Sequence, residues 1–144
     1  LMWAGTIAHN GLLGTGRVED WASHRIEHEL SGIYDVTHGA GLAVVFPAWM
    51  KYVYKVNINR FVQFANRVWD VEIDLENPEA TALEGIRRIE EFFKSIGLPT
   101  TLKDLGIPDD RFEEMAEKCT ILGHVGGLKK IYKEDVLRIL ELAR

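Results

Sequence analysis

The sequence predicts an all-α domain over residues 1–144, and three observations carry that expectation. Apolar residues recur at three- and four-residue spacing along most of the chain, and no stretch keeps the strict alternation of a half-buried strand. Asp, Asn, Pro and Gly fall between the apolar stripes at roughly the intervals that ordinary globular helices allow. At 144 residues, with 47% hydrophobic and 27% charged residues, the chain suits one domain with a sizeable core and about six to eight helices arranged as a compact bundle.

The opening LMWAGTIAHNGLL is apolar and rich in small residues, and reads as a buried helix ending at the Gly-rich GTG. Asp20 stands as N-cap to WASHRIEHEL, with Gly32 as the expected stop. His38 and Gly39 open AGLAVVFPAWMKYVYKV, a long apolar helix with a kink expected at Pro47. INRFVQFANRVWD sets Ile58, Phe61, Val62, Ala65, Val68 and Trp69 on one stripe. Pro78 fits the first turn of EATALEGIRRIEEFFKSIG, which Gly97 and Pro99 then stop. Asp109 and Asp110 are the expected caps of RFEEMAEKCTIL, and KEDVLRILELAR turns Val136, Ile139, Leu140 and Ala143 inward.

Composition removes several functions. A net charge of −5 argues against binding a phosphate backbone, so no nucleic-acid partner is expected. The longest apolar run, AGLAVVFPAWM, is too short to span a bilayer and carries Pro47, so no membrane partner is expected either. The single cysteine, Cys119, excludes an internal disulfide and suits a reducing, cytoplasmic setting. No signal peptide opens the chain; it enters a helical pattern at Leu1, as a piece cut from a longer protein would. GLLGTGR and GHVGGLKK follow no predicted strand and match neither dinucleotide nor Walker spacing, so they read as helix ends and turns.

The chemistry concentrates in HRIEHELSGIYDVTHG, which holds three of the five histidines. His24 and His28 are four apart, so on a helix they share a face about 6 Å apart at Cβ. Two such imidazoles can converge on one metal at about 2.0–2.1 Å per bond. A turn near Gly32 would bring His38 back beside them. The same stretch spells H-x-x-E-H, the string of inverted zinc peptidases, with Glu27 as base and Glu72 or Glu76 as possible third ligand. Spacing alone leaves three readings open: a peptidase, another metal site, and a helical association domain in which the histidines are incidental.

The stretches DWASHRIEHELS and THGAGLAVVFPA, together with FFKSIGLPTTLKDLGI and YKEDVLRILELAR, resemble the iron-activated, metal-dependent alcohol dehydrogenases, specifically their butanol dehydrogenase branch. The resemblance covers essentially the whole chain. It implies the all-helical C-terminal domain of a two-domain enzyme, with the N-terminal dinucleotide-binding domain absent from this chain. It assigns His24 and His38 as metal ligands, and puts His28 beside the metal as a catalytic residue near the nicotinamide and the substrate. Two further ligands, an aspartate and a histidine, belong to the N-terminal part. Many members follow the second histidine with Pro-Leu-Gly, whereas this chain has Glu29-Leu30-Ser31-Gly32, a departure that leaves the ligands untouched. Implied with it are Fe2+ or Zn2+, NAD(H) or NADP(H), a small primary alcohol or aldehyde, and a homodimer. On this reading H-x-x-E-H is coincidental, and Glu27 is a carboxylate beside the ligands or on the helix surface.

Of the rest, His124 reads as a turn residue and the resemblance gives His9 no role. Trp21 and Ser23 flank the histidines. Trp3, Phe46, Trp49, Tyr52 and Tyr54 are expected mostly in the core, with some shaping an apolar alcohol pocket, and Cys119 reads as a small buried hydrophobe.

Overall fold

A computed structural model describes all residues, 1–144. Seven α-helices are present: α1 Met2–His9, α2 Ala22–Tyr34, α3 His38–Val53, α4 Ile58–Trp69, α5 Pro78–Ser95, α6 Phe112–Cys119 and α7 Lys133–Leu142. Two short 3-10 turns, Leu12–Gly14 and Tyr54–Asn57, join them. There is no sheet; one isolated antiparallel bridge pairs Val125 with Ile131. The all-α expectation holds. No helix is long and apolar enough to cross a membrane.

The apolar α3 is the central element, with buried residues from Gly41 to Val53. It packs against α2, α5 and α7. The helix runs unbroken through Pro47. Around it Ile26, Leu30, Ile86, Leu102, Met115, Ile131, Ile139 and Leu140 fill one core. The α4 stripe buries Phe61 and Ala65 but leaves Val68 exposed. α5 packs closely on α4 at Gly85: a Cβ there would lie 2.5 Å from Ala65 Cβ and 2.8 Å from its Cα. α5 starts as its sequence implies, with Pro78 in the first turn and the Asn77 side chain accepting the Ala80 N–H. In α7 Val136, Ile139, Leu140 and Ala143 are all buried, as expected.

Four local expectations need correction. The α1 segment is a helix but has no buried residue, and Trp3 is 73% exposed, because nothing in this chain covers its apolar face. Asp20 does not cap α2 as N-cap. Its Oδ1 accepts the Ala22 N–H and its Oδ2 accepts Gly127 and Leu128 N–H, each at 2.8 Å, pinning a distant loop to the start of the helix. Gly32 lies inside α2, which ends at Asp35 in left-handed conformation, φ 54°. The short Asp side chain tolerates that region by bonding locally. Asp109 and Asp110 do not cap α6 with their side chains. Asp109 pairs with Arg144, and Asp110 accepts the Tyr34 hydroxyl at 3.2 Å.

Both Gly-rich stretches form turns, as expected. Gly11 and Gly126 carry φ of 80° and 93°, where a side chain would be strained.

Candidate metal centre

His24, Glu27, His28 and Ser31 follow one another at helical spacing along one edge of α2. Three residues, Asp35 to Thr37, reverse the chain, and His38 opens α3 opposite that edge. The sequence expectation of three neighbouring histidines is met in geometry. One ligand nitrogen from each of His24, His28 and His38 can be chosen so that all lie within 4.8 Å of one another. Ring centroids are 5.2 Å apart for His24 and His38, and 5.5 Å for His28 and His38. Nitrogens on one tetrahedral ion sit about 3.4 Å apart for bonds of about 2.0–2.1 Å, so modest ring rotations would close the set.

His24 is the most sheltered of the three, and His28 and His38 are exposed. Burial, then the neighbouring imidazoles of His38, His9 and His28, hold His24 below its ordinary pKa, against a smaller opposing pull from Glu27. A neutral imidazole is the ligating form, so the environment favours metal over proton at this position.

Glu27 is fully buried, at 0% exposure. Its Oε2 contacts His38 Nδ1, and its Oε1 accepts the Ser31 hydroxyl at 2.5 Å. With both oxygens engaged, Glu27 is not available as the base of an H-x-x-E-H peptidase, and no strand is present to hold a peptide. The donor set therefore fits a divalent ion: three imidazoles, one kept neutral, one with Nδ1 turned inward and Nε2 left free.

Two neighbours escape sequence reasoning. The His9 ring lies 6.0 Å from both His24 and Trp21, brought there by the turn after α1. His124 shares a small cavity of about 120 Å³ with His28, Arg25 and Lys118. Spacing signals neither, since both approaches are long-range. For Glu27 the spacing offers only Ser31 at i+4; its depth is set by α3 passing over it at Gly41.

An apolar cavity of about 520 Å³ opens beside His24, lined by Trp21, Ser23, Gly39, Leu42, Phe46 and Phe93 among others. Trp21 and Ser23, which flank the histidines in sequence, line this cavity, and of the aromatic set Phe46 does so too. Trp49 and Tyr54 are core residues, and Tyr52 is half-buried. A larger cavity of about 650 Å³ contains none of the three histidines.

Helical layers thus bring three imidazoles together beside an apolar cavity. Residues 1–144 match the model described as Fe-containing alcohol dehydrogenase family, C-terminal, and the chain belongs to that family. It is 43% identical over 141 residues to the probable NADH-dependent butanol dehydrogenase 1 of Bacillus subtilis, covering 98% of this chain and 36% of that protein. It is 41% identical over 144 residues to NADH-dependent butanol dehydrogenase A of Clostridium acetobutylicum, covering 98% of this chain and 37% of that protein. The crystal structure of NADH-dependent butanol dehydrogenase A from Thermotoga maritima matches with TM-score 0.91 at 41% identity, over 98% of this chain and 37% of that one. The chain thus spans little more than a third of these relatives.

Proposed function

We propose that this chain is the metal-binding domain of an NAD(P)H-dependent alcohol or aldehyde oxidoreductase of the butanol dehydrogenase type. The observation that carries the reading is the convergence of His24, His28 and His38 within 4.8 Å beside an apolar cavity. Its likeness to NADH-dependent butanol dehydrogenases supports it. His24 and His38 hold a divalent metal, iron or zinc, since imidazole with carboxylate suits both. The remaining ligands come from a dinucleotide-binding domain on the N-terminal side, which also carries the nicotinamide. The intact protein is cytoplasmic and dimeric.

When bound, the metal supplies Lewis acidity toward the alcohol or aldehyde oxygen during hydride transfer. The residues of this chain do the rest. His24, held neutral by burial and its neighbours, keeps its lone pair available at neutral pH. Trp21, Leu42, Phe46 and Phe93 line the cavity, take up the alkyl chain and exclude water. His28 faces the nicotinamide and substrate and holds or moves a proton at its imidazole.

Metal analysis combined with aldehyde-dependent NAD(P)H oxidation in the intact protein tests this reading. His24→Ala and His38→Ala should lose metal and activity together. His28→Ala should keep the metal and lose about 10²–10⁴-fold in rate. A His24→Ala or His38→Ala protein retaining both metal and full rate would overturn the assignment.

A further inference from the structure

Glu27 is a carboxylate at 0% exposure with no lysine or arginine in ion-pair range, and the side chain at its Oε2 is the imidazole of His38. A buried carboxylate is costly unless hydrogen-bond donors satisfy it. Two polar partners are in place: the Ser31 hydroxyl, 2.5 Å from Oε1 and also 2.8 Å from the Val36 carbonyl oxygen, and the ring nitrogen Nδ1 of His38 at Oε2. Room for this carboxylate comes from Gly41, since a Cβ there would lie 2.5 Å from Oε1. Helix α3 therefore passes directly over Glu27, and its first residue is the histidine that Glu27 holds.

We propose that Glu27 is a positioning residue that fixes His38 in the Nδ1–H tautomer, with the Nε2 lone pair directed at the metal. This rests on the metal-centre reading above. Neutral imidazole has one N–H, and whichever nitrogen carries it cannot ligate. A carboxylate at Nδ1 settles the choice, fixes the ring's orientation and raises the basicity of the ligating nitrogen. Ser31 in turn orients the carboxylate. A purely structural role, tying α2 to α3, would be served equally by a neutral amide of the same shape. The ligand role would not, because it uses the charge.

The test has two arms, the first on the 144-residue chain and the second on the intact protein. In the first, long-range ¹H–¹⁵N correlations of the imidazoles are recorded without metal at mildly alkaline pH. The expected spectrum shows His38 protonated at Nδ1 and bare at Nε2. The proton on Nε2 instead would overturn the proposal, and this arm needs neither a variant nor a metal. In the second, Co2+ or Zn2+ is titrated into wild type, the isosteric Glu27→Gln and Glu27→Ala, with thermal midpoints recorded alongside. Glu27→Gln should bind about 10–100-fold more weakly, the usual cost of removing an outer partner of a ligating histidine, while keeping its midpoint. Unchanged metal affinity in Glu27→Gln, with binding still abolished by His38→Ala, would overturn it. If the intact wild-type protein bound no metal while His38 showed the expected tautomer, the metal-centre reading would fail and the Glu27–His38 pairing would stand.

Discussion

Replacing Gly41 by alanine measures how firmly α3 is seated on Glu27. The added Cβ would lie 2.5 Å from Oε1, 2.8 Å from Cγ and 3.0 Å from Cδ of Glu27. The end of a flexible side chain usually swings away, but this one is fully buried and held by Ser31 and His38. Alanine gains about 1 kcal/mol over glycine inside a helix, and forcing a packed group aside costs about 1–3 kcal/mol. The two combine to a net loss of about 0–2 kcal/mol. Gly32→Ala is the reference, since Gly32 lies inside α2 with nothing within 4 Å of its missing Cβ. There the gain of about 1 kcal/mol is unopposed. The variants should therefore differ by about 1–3 kcal/mol. Urea unfolding followed by far-UV circular dichroism would separate their midpoints by about 0.5–2 M, at a slope of about 1.5–2 kcal/mol/M. A Gly41→Ala chain as stable as Gly32→Ala would refute the reasoning and show that Glu27 moves freely.

Other consequences follow from the same structure. Asp135 accepts from Lys129 Nζ and Tyr132 N–H, each at 2.8 Å, and from the Tyr52 hydroxyl. Burial would raise its pKa, yet these donors hold it below the ordinary carboxylate value. Its contribution is therefore present above the unfolded aspartate pKa and disappears as pH falls through the folded one. Asp135→Ala should cost about 1–3 kcal/mol near neutrality and almost nothing in strong acid, a contrast that urea titrations at the two pH values would read. The Cys119 thiol is pushed by burial up to about 12, so iodoacetamide should label the native chain far more slowly than the unfolded one at neutral pH, as mass spectrometry would show.

Helices α4, α5 and α7 are legible in the sequence because their signals are local: a stripe of apolar residues, a Pro in the first turn, a Gly stop. What escapes is whatever depends on a distant partner. The apolar α1 reads as buried because hydropathy reports what a face prefers, not what covers it. Asp20 reads as a cap because Asp before a helix usually is one, yet its Oδ2 serves amides 107 and 108 residues away. The histidine cluster is visible in outline, since the i,i+4 pair and the return to His38 are short-range. The depth of Glu27 is not, because at the edge of α2 one step of helical phase separates solvent from the core. The H-x-x-E-H string misleads for the same reason: it specifies spacing along a helix and nothing about where the glutamate points.

The division of the metal centre between this chain and a second domain is tested most directly by metal titration of the 144-residue chain, beside its His24→Ala, His28→Ala and His38→Ala variants. Two ligands, with His28 as a makeshift third from the same helix face, fall short of a catalytic site that typically uses three or more dedicated protein ligands. Weak binding is expected, abolished by His24→Ala and by His38→Ala and reduced by His28→Ala, with no NAD(P)H-dependent aldehyde reduction. Stoichiometric tight binding accompanied by aldehyde reduction would contradict it, because the site would then be complete within these residues.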